Sequence, residues 1–384
     1  MQKEIKKGPG NELLEKCEWQ LTSMRFLYGY LDYISMFEFS ETCQPARRIL
    51  SESMKDILLT AVVCGNEDLA RKIIMYSPEL LLDSSATATD LSGKEIKNIT
   101  PLQAAICLRD IEMLQMMLEI LEQKRKVGIN LIPDPKLEIQ RQFISIYPNG
   151  DIDAVETAQK AKAKKFKKSM LHYIFMAIND ATEIQVKSEL NNPGVNNTDS
   201  QLNTDLHKFR EQFKSIANLD QIFNPFYLLT AIEFYYEKFY YFNYDDDHED
   251  NRWNKRNLLW VQVIGYIERH LPACYLQILA QGIDFIIKDG EKLKRYFEFR
   301  YNKGFYMKPA MAGSLNGLGY TYASCHINSR GYKSDDRRRW LANSKSASFL
   351  SLLRTKKSGL ENLFTRPPTV DVTATHQPAR CVIV

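Results

Sequence analysis

Two stretches of this chain repeat one another, and the repetition limits the folds open to it more than any other feature. Thr100 to Leu121 reads TPLQAAICLRDIEMLQMMLEIL, and Leu58 to Met75 reads LLTAVVCGNEDLARKIIM. In the first, Thr100 is placed to cap a helix and Pro101 to take its first position, because a Thr oxygen accepts orphan N–H groups and Pro has no N–H to lose. Leu102, Ala105 and Ile106 give a short, slim helix, and Leu114, Met117 and Leu118 recur at i, i+3 and i+4 on a second. Ala61 and Val62 match Ala105 and Ile106, while Gly65-Asn66 stands where the other copy has Arg109-Asp110. A helix pair this thin cannot bury its own apolar face, so such units stack.

Leu58 and Leu102 are equivalent positions, 44 apart, whereas a turn-plus-two-helix repeat takes about 33 residues. The excess falls between Ser84 and Asn98 and contains Asp90-Leu91-Ser92-Gly93. The two units resemble ankyrin-type repeats, with Gln103 where that family usually has His and Arg109-Asp110 in place of its Gly-His turn. The resemblance implies a lengthened hairpin finger ahead of Thr100. It also implies a third copy opening at Ser169-Met170-Leu171-His172, and a protein partner held on the concave face and finger tip by Lys94, Glu95 and Lys97.

The flanking sequence suggests five segments. Residues 1–50 read as a helical cap, with Asn11 starting a pattern through Leu14, Cys17, Leu21, Met24 and Tyr28, since a solenoid needs its open end covered. Residues 51–190 hold the repeats and their insertions. Among these, Gly128 to Pro148 alternates over Gln142–Tyr147 and ends on Pro148-Asn149-Gly150, which predicts a hairpin. Residues 191–203, NNPGVNNTDSQLN, read as a linker. Residues 204–345 read as a second helical domain built on Leu228, Ile232, Tyr235, Phe239 and Phe242, a seam in steps of four and three. Residues 346–384 read as a flexible tail. The whole is expected to be all-α.

Composition excludes several classes. A net charge of +4 from 51 basic and 47 acidic residues gives no electrostatic footprint for nucleic acid, so none is expected as a partner. The cysteines at 17, 43, 64, 107, 274, 325 and 381 form no CxxC and no cluster, a pattern of reduced thiols. The N-terminus lacks an apolar run behind its basic residues, and no stretch is long and apolar enough to span a membrane. Asp245 to Asp250, DDDHED, lacks the Gly and ligand spacing of a calcium loop, and Gly313, Gly317 and Gly319 lack the setting of a phosphate loop. No cofactor or metal is implied. The enzymatic alternative is a Cys–His site drawing on Cys274 or Cys325 in residues 204–345.

The repeats, the finger, Val261 to Tyr275 (VQVIGYIERHLPACY) and Gly290 to Arg295 (GEKLKR) followed by Phe297-Glu298-Phe299-Arg300-Tyr301 resemble ankyrin-type Dot/Icm (type IV secretion) effectors of intracellular bacteria. That resemblance implies delivery into a host cell and binding of a host protein, and it supplies no catalytic residue. Two features speak of membranes. Arg380-Cys381-Val382-Ile383-Val384 fits a C-a-a-X box, which would make Cys381 the substrate of a host prenyltransferase. Lys160, Lys162, Lys164, Lys165, Lys167 and Lys168 place six cations in nine positions, a candidate contact for an anionic membrane surface on its cytosolic side.

Overall fold

The computed structural model describes residues 44–128, 134–192, 200–219, 224–239, 249–295, 299–302, 305–307 and 335–365. The fold is all-α, with two short β-hairpins. Helices α1 (Gln44–Val63) and α2 (Glu67–Tyr76) form one antiparallel pair, and α3 (Pro101–Cys107) and α4 (Ile111–Lys126) form another. Between them strands β1 (Thr87–Thr89) and β2 (Glu95–Lys97) pair antiparallel. Asp90 closes their tip, its carboxylate accepting from the backbone N–H groups of Ser92 and Lys94 at 2.8 and 3.0 Å.

The two pairs turn by the same backbone chemistry. The residue at the bend takes a left-handed conformation, φ +68° at Gly65 and φ 52° at Arg109. The next residue caps the second helix: Asn66 accepts from Leu69 N at 3.1 Å, and Asp110 from Met113 N at 3.1 Å. Gly65 carries no strain there, and a Cβ on it would meet the Gln277 side chain at 2.9 Å. Arg109 costs about 1–2 kcal/mol in that conformation. The cost is offset because its buried guanidinium pairs with Glu156 at 2.7 Å and donates to the Tyr147 hydroxyl at 3.4 Å. Gln103 has a similar explanation. It completes a capping box with Thr100, and its amide also reaches Ser145 Oγ at 3.1 Å.

Past α4 the chain departs from the expected elements. The stretch expected as a hairpin is helix α5 (Pro135–Ile146). Asp134 caps it, accepting from Lys136 N and Leu137 N, Pro135 takes the first turn, and Ile139 and Phe143 bury one face. The alternation over Gln142–Tyr147 was the coincidence of that i, i+4 face with a short window. No third repeat opens at Ser169. Helix α6 (Ile152–Phe166) passes through a wide turn at Lys167–Leu171 into α7 (His172–Asp180), and the Ser169 hydroxyl donates back to Lys165 O instead of capping a new helix. Within the expected tail, helix α15 (Asp335–Thr365) runs through residue 365 and buries Phe349, Leu352, Leu353 and Leu360.

The remaining helices are α8 (Glu183–Asn191), α9 (Gln201–Leu219), α10 (Phe226–Lys238), α11 (Glu249–Leu258), α12 (Gly265–Glu268), α13 (Ala273–Gln281) and α14 (Ile283–Ile287), followed by strands β3 (Phe299–Asn302) and β4 (Phe305–Met307). Two apolar cores result. The first gathers Met54 to Ile152 with Leu360, and the second gathers Ala163 to Leu353. The expected linker therefore does not separate them. Phe166 packs on Phe213 and Tyr227 at 5.4 and 5.3 Å, and Phe175 meets Phe234 edge-on at 5.8 Å, all across residues 191–203. The aromatic helix α10 lies at the centre, against α6 and α15. A fragment beginning at residue 204 loses the Phe166 and Phe175 side of this core. It is expected to give no cooperative melt by tryptophan fluorescence, and a sharp transition would show that the second half folds alone.

Candidate functional site

The surface expected to hold a partner is the crook between the finger and the inner helices α1 and α3. Its contents decide what can bind there. Val63, Cys107 and Leu108 form one wall, Asp90 and Lys94 come from the finger, and His270 to Ala273 close the other side around about 50 Å³ of space. That is room for a few waters, so the chain's own residues fill most of the crook. Lys94 is half-buried and donates to the carbonyl of Ala217 on α9 at 3.3 Å, so it ties the finger to the second half of the chain. Glu95 and Lys97 pair with each other at 2.9 Å and stay more than half exposed. Of the three residues expected to meet a partner, two face outward.

The same half is clamped to both inter-helix turns. Arg295 holds Asp110 with two bonds, Nη2 to Oδ1 at 2.7 Å and Nη1 to Oδ2 at 2.9 Å, and its Nε reaches Glu67 at 3.1 Å. Gln277 on α13 donates to Gly65 O at 3.2 Å, and Lys356 on α15 pairs with Glu112 at 2.6 Å. Burial alone would raise the Asp110 pKa, but the Arg295 guanidinium and then Lys356 hold the carboxyl below its usual range. Sequence reading did not find Arg295, because its partners lie far away in the chain and no local spacing marks it.

The Cys–His alternative fails at Cys274. Its thiol is buried and donates to Leu108 O at 3.6 Å, and burial pushes its pKa up, away from the thiolate a nucleophile needs. Burial likewise raises Cys107 to about 12 and, together with the Asp90 charge, Cys64 to about 11. His270 sits between the rings of Phe213 and Tyr266, 5.1 and 5.2 Å away. Burial first, then the cations Arg269, Lys214 and Lys94, push its pKa down to about 3. Among the described residues no group of His, Cys, Asp and Glu is placed to hold a metal. Cys325 lies outside the described residues.

The lysine run lies at the end of α6 and in the wide turn after it, and the structure sorts its members. Lys160 pairs with Glu156 at 3.7 Å and lies over the Phe226 ring, and Lys167 pairs with Glu237 at 2.6 Å. Lys162 is engaged as well. Lys164, Lys165 and Lys168 are exposed. No described helix is long and apolar enough to cross a membrane, and Cys381 lies outside the described residues. Compared with known proteins, the chain matches no family model, no curated protein and no solved structure.

Proposed function

We propose that the chain is a bacterial effector that binds a host protein through its ankyrin-like helix pairs and is held on the cytosolic face of a host membrane by prenylation of Cys381. The observation that carries the reading is the repeated unit: two helix pairs with the same capped, left-handed turn, separated by a two-stranded finger. Rigid stacks of that kind present loops, finger tips and a concave surface to partners. Because the crook is filled by the chain itself, the partner surface is the outer side of the finger around Glu95 and Lys97.

Two experiments test the two parts. In eukaryotic cells the wild type is expected in the membrane fraction with a prenyl mass on Cys381, and Cys381→Ser in the cytosol. Equal fractionation, or no added mass, sinks the anchor. The pair Glu95→Ala and Lys97→Ala should weaken capture of a host protein while leaving the melting temperature within a degree or two, roughly the effect of surface substitutions. Unchanged capture moves the partner surface elsewhere.

A further inference from the structure

The helix from Ile152 to Asp180 has one side that, among the described residues, is left largely exposed, with only α9 reaching its far end. Its positions 163, 166, 170, 174 and 178 recur every three or four residues and are buried in the second core. The side turned away carries Lys164, Lys165 and Lys168 and, past the wide turn, Tyr173 and Met176, each 41% exposed. Among the described residues none of those three lysines has an ion-pair partner. Lys208 from α9 adds a fourth exposed cation, its Nζ lying 5.1 Å from the centre of the Tyr173 ring. The Tyr173 hydroxyl is fixed by Asp205, so the ring is held in place under that cation.

This combination separates one kind of anionic surface from another. We propose that Lys164, Lys165, Lys168 and Lys208, with Tyr173 and Met176 between and beyond them, form a docking face for an anionic lipid bilayer. Lysines act as point charges toward a diffuse sheet of phosphates, whereas planar phosphate recognition in nucleic acid draws on Arg, and residues 160–176 contain none. An exposed thioether and an aromatic ring gain nothing from a sugar–phosphate backbone. They gain from the boundary between headgroups and acyl chains, where amphipathic helices lie. The proposal rests on the membrane-anchored reading above and supplies the second contact that a single lipid chain requires for stable attachment.

The test uses the full chain made in bacteria, which carries no prenyl group, sedimented with sucrose-loaded vesicles. Binding is expected with vesicles of phosphatidylcholine and phosphatidylserine, to fall as salt rises, and to be lost with phosphatidylcholine alone. The triple variant K164E/K165E/K168E should lower the partition coefficient by about a hundredfold or more, with an unchanged melt because all three side chains are exposed. Met176→Ser should lower it by about tenfold at constant charge. Equal binding to both vesicle types, a triple variant that binds like wild type, or retention on single-stranded RNA as strong as on phosphatidylserine vesicles would each overturn the proposal. Since no lipid is attached, failure here leaves the Cys381 anchor standing. A Cys381→Ser protein that fractionates like wild type while binding vesicles normally would remove the anchor and keep the face.

Discussion

The Arg295→Ala protein is expected to lose about 3–5 kcal/mol of stability, the range for removing one partner of a buried, hydrogen-bonded ion pair. Asp110 is 1% exposed and would be left charged with its two guanidinium bonds gone, and Glu67 would lose its 3.1 Å contact and keep only the Arg71 pair at 3.2 Å. Since domains are stable by only about 5–15 kcal/mol, that loss would shift a urea midpoint by a large fraction of its value. The Arg295→Lys variant should recover only part of it, because an ammonium cannot make the paired bonds to Asp110. A double-mutant cycle with Asp110→Asn, which keeps an acceptor for Met113 N, should be strongly non-additive. A loss below about 1 kcal/mol for Arg295→Ala, the range of a surface pair, would show that the two halves are not held by this clamp.

Wherever caps and short-range periodicity carried the information, the fold was legible. Thr100, Pro101 and the Gly65-Asn66 turn act within a few residues of themselves, and they form the elements their chemistry suggests. The finger was legible for a similar reason, since Asp90 organises a tip of only five residues. Misreadings arose where two periods coincide over a short window, as at Gln142–Tyr147, or where polar residues outnumber a sparse buried stripe. Helix α15 is of the second kind: Ser and Lys dominate residues 345–358, and only the spacing of Phe349, Leu352, Leu353 and Leu360 shows the buried face. What could not be read at all was which surfaces meet. The crook looked like a binding face because nothing local says that His270 to Ala273, far along the chain, fill it. The lysine run looked uniform because the partners of Lys167 and Lys160, Glu237 and the Phe226 ring, come from another helix.

Acid should open the chain at that filled crook before it opens elsewhere, and His270 is the group that makes the process measurable. Its pKa is pushed from 6.5 down to about 3 by burial, with Arg269, Lys214 and Lys94 adding repulsion. The folded chain therefore keeps His270 neutral where the unfolded chain would protonate it. Between those two values the unfolded state binds the extra proton, so stability falls as pH falls, starting near 6.5 and continuing toward 3. The full shift is worth about 5 kcal/mol, and the part realised between pH 7 and pH 5 is about 2 kcal/mol. Asp110 contributes later, since its lowered pKa gives stability that is lost only as pH drops through and below the ordinary carboxylate range. The two windows overlap at about pH 3 to 4, and above about pH 5 the His270 loss stands alone. His270→Gln removes the titration but keeps a polar side chain of similar reach beside Phe213 and Tyr266. Urea unfolding of wild type and variant at pH 7 and pH 5 should show the wild type losing about 2 kcal/mol relative to the variant. Parallel losses in the two proteins would mean that His270 is solvated and protonates in place, and that the finger does not seal against the second half as described.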